Sequence, residues 1–193
     1  WPKLLNDFKK GKLGKIYTQE GNPSLRGRKL DRSIFDGKKY LPVQSLEMGR
    51  GCTSKCEFCA IPVFFEGYNP RSLKEVLIEI EENNMQQIFL TDDNLSAYPN
   101  QLLEFCEGIK PMKKKWVGQA GVNIANDDRL LESIAESGCL GLLMGFESLD
   151  KDNINLMGKR INSRANYQEV IKKVNSHGIK IYGSFIMGYD NDT

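Results

Sequence analysis

Three cysteines constrain this chain more than any other feature. Cys52, Cys56 and Cys59 fall within eight residues, in the stretch RGCTSKCEFC from Arg50 to Cys59, at C-x3-C-x2-C spacing. Thiolates are soft ligands, suited to iron–sulfur clusters or zinc. Three on one short loop wrap a metal centre from one side and leave a fourth position without a nearby protein ligand. A substrate or cofactor can then bind the metal directly. Structural zinc usually takes four ligands in two pairs. Here the one histidine, His177, is far away in sequence, and Cys106 and Cys139 form no C-x2-C pair. A disulfide framework fits worse, because five cysteines are an odd number and WPKLLNDFKKGK is neither a signal nor a transit peptide. A cluster with one open iron is the reading that suits the spacing.

The bulk composition excludes several classes. Hydrophobic residues make up 40% and charged residues 27% of 193, as in ordinary globular domains. A net charge of +2 is too small to argue for nucleic acid or a membrane surface. No apolar run is long enough to span a bilayer. Unpaired cysteines without a targeting signal point to a reducing cytoplasm. The chain starts without Met and stops just after an apolar run, so it is expected to be a piece of a longer protein.

Residues 1 to 12 read as a short helix, with Leu4, Leu5 and Phe8 on one face and Gly11 ending it. Residues 14 to 42 are polar and broken by Gly14, Gly21, Pro23, Gly27, Gly37 and Pro42, with a short strand expected at Lys15 to Thr18. The basic run Arg26, Arg28, Lys29 and Arg32 reads as a solvated loop. From Pro42 the pattern is regular. Strands are expected at Val43–Met48, Gln87–Thr91, Lys115–Val122, Leu140–Phe146 and Ile179–Met187. Between them lie helices: one opened by a Ser72/Glu75 capping box, one from Pro99 to about Ile109, one over Asp127–Ser137 and one over Tyr167–Ser176. A further helix is expected around Ile154, Leu156 and Met157. Alternation of this kind, with short connections, predicts an α/β fold: about five βα units of a partial TIM-like barrel. Cys106 and Cys139 read as core residues, Trp116 as packing and His177 as structural at a helix end.

In such barrels, site residues gather where the strands end. The polar residues there are the cysteine loop, Asp92-Asp93-Asn94, Gln119, Glu147-Ser148 and Gly188. Singly, the Asp-Asp-Asn run reads equally as a turn or helix cap, and Glu147 as half of an ion pair. Phe64, Phe65 and Tyr68 follow the loop and are placed to keep water from it.

The motif C-x3-C-x2-C, with Phe58 just before its last cysteine, resembles that of the radical S-adenosylmethionine (SAM) enzymes. The stretches FLTDDNL, WVGQAGVNIA, SGCLGLLMGFESLD and SFIMGYDND extend the resemblance. They are similar to the cobalamin-binding branch that contains the hopanoid C-methylases. The resemblance implies a 4Fe-4S cluster on Cys52, Cys56 and Cys59, with SAM on the fourth iron and a 5′-deoxyadenosyl radical as the product of its reductive cleavage. It implies that Asp92 and Asp93 lie near the SAM amino group, and that Glu147 and Ser148 serve its ribose and sulfonium side. Gly188 would meet adenine, Phe58 and Gln119 would complete the cofactor contacts, and either Gly183 or Ser184 matches the first glycine of the G-x-I-x-G stretch. Residues 1–41 look like the end of a preceding cobalamin-binding domain and its linker, and 42–193 like the first part of the radical SAM barrel. The implied reaction is cobalamin-dependent methylation of an unactivated carbon in a small-molecule or lipid-like substrate, with flavodoxin or ferredoxin as electron donor. A non-methylating rearrangement or cyclisation, and a non-catalytic metal-binding module, are the rival readings.

Overall fold

The computed structural model describes residues 1–18, 20–27 and 30–192. Its elements are, in order, helix α1 (Pro2–Lys9), strands β1 (Val43–Leu46) and β2 (Gly49–Arg50), helix α2 (Ile61–Phe64), strand β3 (Asn69–Pro70) and helix α3 (Leu73–Glu81). Strand β4 (Gln87–Leu90), helix α4 (Pro99–Ile109), strand β5 (Lys115–Gln119), helix α5 (Asp128–Glu136) and strand β6 (Cys139–Glu147) follow. Helices α6 (Lys151–Leu156), α7 (Arg160–Ser163) and α8 (Tyr167–Ser176) lead to strand β7 (Lys180–Phe185). The five long strands form one sheet, β1-β4-β5-β6-β7, parallel at every pairing. Strands β2 and β3 form a separate antiparallel ribbon.

Strand residues alternate between two faces. Gln44, Leu46, Ile88, Leu90, Trp116 and Gly118 are buried, whereas Ser45, Gln87, Phe89, Val117 and Gln119 are exposed. The buried face meets the apolar stripes of the helices. On α4, Leu102, Phe105, Cys106 and Ile109 recur at helical spacing and are all buried. Trp116 packs edge-on against Phe105, with ring centroids 5.7 Å apart, and donates Nε1–H to Ser137 Oγ at 3.0 Å. Asp127 caps α5 by accepting the Leu130 N–H at 3.0 Å. Gly138 ends the turn after it with φ +96°, and a Cβ there would strike Lys114 O at 2.2 Å. Cys106 and Cys139 are core residues, as expected, and His177 closes α8 with Nδ1 2.9 Å from Lys173 O.

Several expectations are corrected. No strand forms at Lys15–Thr18; Tyr17 donates its hydroxyl to Asp7 Oδ2 at 3.0 Å and accepts the Gly14 N–H. Strand β5 stops at Gln119, because the Gly121 N–H turns aside to Asn94 Oδ1 and Ser96 Oγ, and a 3-10 turn over Val122–Asn126 follows. Ser72 caps α3 without a side-chain bond, since Glu75 instead accepts the Gly27 N–H at 3.0 Å. The helix expected around Ile154, Leu156 and Met157 does form, as α6, with Ile154 and Met157 buried and Leu156 about half exposed. Arg32 is not solvated: it donates to Ser45 O and pairs with Glu79 Oε1 at 2.6 Å, while Arg71 holds Oε2 of the same carboxylate. Arg28 and Lys29 lie outside the described residues. No helix among the described residues is long and apolar enough to cross a membrane.

Candidate active site at the strand ends

The cysteine loop is framed by the β2–β3 ribbon, which pairs Gly49 with Pro70 and Arg50 with Asn69. The ribbon brings the two ends of the loop so close that a Cβ on Gly51, at φ +94°, would meet Gly67 O at 1.9 Å. Carboxylates from the end of β4 hold the loop's entry. Asp92 Oδ2 accepts the Met48 N–H at 2.9 Å, and Asp93 Oδ2 accepts the Gly51 N–H at 3.0 Å. Asn94 Nδ2 lies 3.9 Å from Cys52 Sγ, and the Ser54 N–H donates to the same sulfur at 3.4 Å. On its far side, the loop donates Glu57 N–H to Met157 O just beyond α6.

Cys52, Cys56 and Cys59 are free and half-buried. Burial pushes the Cys56 thiol up; the Lys159 ammonium opposes this, and Cys59, Cys52 and Glu147 add to it. Cys56 is thus within electrostatic reach of both other thiols and of the end of β6. Among the described residues, no group of three His, Cys, Asp or Glu is already converged tightly enough to hold a metal ion. The donor set itself suits an iron–sulfur cluster: three soft sulfurs on one short loop, with no competing imidazole or carboxylate in its sequence except Glu57.

Asp92 is enclosed, with Oδ1 unpartnered, and burial pushes its carboxyl up to about 7 against the pull of the Met48 and Gly49 amides. Asp93 is half-buried. Gln119 stands on the exposed face of β5, and Phe58 is exposed at 40%. Phe64 is exposed and Phe65 half-buried; Tyr68 packs away from solvent, stacked on Tyr98 at 4.3 Å with its hydroxyl on Gln101.

At the end of β6, Glu147 adopts φ +66°, in the left-handed region that side chains rarely take. It is paired with Lys159, and both side chains are about nine-tenths buried. Ser148 is buried and accepts the Asp150 N–H at 3.0 Å. Beyond β7, Gly188 has φ +96° and open space around it, and donates its N–H to Asp192 Oδ2 at 2.6 Å. Asn153, fully buried, ties that segment to α6 by donating to Asp192 Oδ1 and accepting the Asn191 N–H. A Cβ on Gly183 would meet the Phe146 ring at 2.9 Å, so that glycine is required by packing.

The fold therefore ties the cysteine loop to the β4 end and to the end of α6. Gln119, at the end of β5, and Gly188, beyond β7, have no described contact to the loop. Sequence reading missed Lys159, Asn162, Tyr167 and Asn153. Only the ion-pair reading of Glu147 hinted at such a partner, and nothing in the spacing singles out Lys159 from its 26 fellow cations among 27.

The family model of the radical SAM superfamily matches residues 46–193. The chain belongs to the radical SAM superfamily. It is 28% identical to bacteriochlorophyllide d C-12(1)-methyltransferase of Chlorobaculum tepidum, covering 100% of this chain and 45% of that protein. It is 26% identical to hopanoid C-2 methylase of Rhodopseudomonas palustris, covering 99% of this chain and 38% of that one. The radical SAM chain thus spans less than half the length of either relative. Among solved structures, it resembles the radical SAM methyltransferase TsrM of Kitasatospora setae, with a TM-score of 0.63 and 16% identity, over 76% of this chain and 31% of that one. The five parallel strands are those of the radical SAM partial barrel.

Proposed function

We propose that residues 42–193 form the cluster-and-SAM-binding part of a cobalamin-dependent radical SAM methyltransferase. Residues 1–41 are then the closing helix and linker of a preceding cobalamin-binding domain. The observation that carries this reading is a ribbon-framed loop of three free thiols, tied at its entry to Asp92 and Asp93 at the end of β4 and on its far side to Met157 beyond α6. Support for methylation comes from relatives named as methyltransferases, and support for cobalamin from TsrM, solved with cobalamin and a [4Fe-4S] cluster bound.

Cys52, Cys56 and Cys59 would hold three irons of the cluster and leave one open. When bound, the cluster supplies the electron that opens a carbon–sulfur bond of SAM. The chain's own residues position and shield. Asp92 and Asp93 fix the backbone at Met48 and Gly51 and so set the angle at which the loop presents its sulfurs. Asp93, half-buried, and Asp92 are the residues assigned to the SAM amino-group side. Glu147 offers a carboxylate to ribose hydroxyls or to a positive sulfonium, with Ser148 beside it. Gly188 lets the backbone approach a flat base without a side chain in the way. Phe58 and Gln119 complete the cofactor contacts. The substrate class is a small or lipid-like molecule, a flavodoxin or ferredoxin is the electron donor, and a reducing cytoplasm keeps the thiols free.

The test is anaerobic assembly of the full-length enzyme with iron and sulfide, then reductant and methyl-labelled SAM. The expected result is 5′-deoxyadenosine together with label in the product. Cleavage without label transfer would remove methylation, and zinc in place of iron without SAM cleavage would leave only a metal-binding module.

A further inference from the structure

Asp92, Asp93 and Asn94, successive residues after β4, meet the cysteine loop at successive points along its entry. Asp92 accepts the Met48 N–H and Asp93 the Gly51 N–H. Asn94 differs in chemistry, because it brings a donor: its Nδ2 lies 3.9 Å from Cys52 Sγ. The Ser54 N–H donates to the same sulfur at 3.4 Å. Among the described residues, the Cys56 and Cys59 sulfurs accept no such bond, so the Cys52 sulfur is set apart from its two neighbours.

The direction of the Asn94 amide is fixed from its other end. Its oxygen accepts the Ser96 N–H at 3.1 Å, the Ser96 hydroxyl at 2.7 Å and the Gly121 N–H at 3.1 Å. A side-chain amide accepts at oxygen and donates at nitrogen. Exchanging the two ends would set an NH2 group against three donors, so the nitrogen is the end left facing Cys52. Ser96 is buried, and the Gly121 N–H also reaches its hydroxyl at 3.0 Å. A Cβ on Gly121 would meet Ile161 at 2.8 Å and Ser96 Oγ at 3.1 Å, so this close approach needs a glycine. The anchors thus come from two places, the 3-10 turn over Leu95–Ala97 and the bend that ends β5.

Hydrogen bonds to ligating sulfurs help to set the reduction potential of an iron–sulfur cluster. Reduction adds negative charge, and an N–H donor binds a more negative acceptor more strongly, so such a donor favours the reduced state. We propose that Asn94 tunes the proposed cluster: its anchored amide directs an N–H onto the Cys52 sulfur and raises the potential. The proposal rests on the cluster-binding reading above. Asn94 acts through Cys52 and is a positioning residue, with Ser96 and Gly121 holding it in place.

The test is a redox titration of the anaerobically reconstituted full-length enzyme, followed by electron paramagnetic resonance of the reduced cluster, with iron content measured in parallel. Asn94→Ser keeps a capping oxygen for the Ser96 N–H but is too short to bring a donor to the sulfur. It should load iron as the wild type does and be harder to reduce. At a fixed potential its reduced-to-oxidised ratio should fall by about threefold to tenfold, tenfold being about 59 mV for one electron. Ser96→Ala removes one anchor and leaves Asn94 in place, and should shift the midpoint in the same direction by less. Asn94→Asp keeps the anchored oxygen and replaces the donor with an acceptor. It should give the largest fall, and it serves if the Ser variant loads no iron. A wild-type midpoint in Asn94→Ser, or no fall in Asn94→Asp, would overturn the tuning role while leaving the cluster reading intact. Loss of iron from both Asn94 variants would overturn it in favour of a purely structural role. A full-length wild type that takes up zinc and assembles no iron cluster removes the reading and the proposal together.

Discussion

The two faces of the sheet contrast sharply, and a single strand shows how. On β5, Trp116 and Gly118 are buried while Val117 and Gln119, their neighbours in sequence, are exposed. Strands β1 and β4 repeat the alternation with Leu46 against Ser45 and Leu90 against Phe89. The covered face is packed with Phe105, Ile109, Ile134 and other apolar side chains, where stability is stored. The cysteines and Gly188 lie beyond the strand ends, on segments held by hydrogen bonds more than by burial, and Glu147 is the last residue of β6. Stability and chemistry are thus carried by different residues, and substitutions can separate them.

The largest effect should fall on the chemistry alone. Cys56→Ser in the full-length enzyme should reduce iron loading and 5′-deoxyadenosine formation to background, while the unfolding midpoint of the cluster-free protein stays near wild type. A large fall in that midpoint would mean the loop is part of the core after all. Next, Trp116→Ala should cost about 3–5 kcal/mol, read from urea unfolding, because it empties a fully buried site and orphans the Ser137 bond.

Asp92 tests the border between the two regions through pH. Its carboxyl titrates near 7 in the folded chain, against an ordinary value of 3.8, because burial disfavours its charge. The folded state therefore holds the proton more tightly than the unfolded one. Its contribution is fully present below pH 3.8 and is lost as pH rises toward 7. The gap in unfolding free energy between wild type and Asp92→Asn should move in favour of the variant across that window, by up to about 4 kcal/mol in total, and then level off. A gap that stays constant with pH would show that the carboxylate is not buried as described. The smallest effect is reserved for Val117→Ser, expected within about 0.5 kcal/mol of wild type. A loss as large as that from Trp116 would erase the distinction between the faces.

Much of this was legible from residue order, for identifiable reasons. Alternation along β4 and helical spacing along α4 are local patterns, so they read through directly. The cysteine spacing is local too. What failed depended on partners far along the chain. Ser72 and Glu75 have the form of a capping box, yet Glu75 is engaged by Gly27, 48 residues away. Strand β5 keeps its apolar pattern through Val122, but Asn94 and Ser96 from the preceding strand end draw Gly121 off the ladder. Asp92 has the composition of a turn residue, and only the fold shows it closing over Met48. Lys159 and Asn162 sit in a plain polar stretch, and their importance comes from the Gly145 carbonyl that both reach, just before the left-handed Glu147.

The burial of Cys106 and Cys139 has a practical consequence. Both are enclosed in the core, and burial pushes the Cys106 thiol up to about 11 and the Cys139 thiol upward as well. A short exposure of the native chain to maleimide should therefore leave these two unlabelled. The remaining three sulfurs become a built-in gauge, since every one that iron occupies is one that the reagent cannot count.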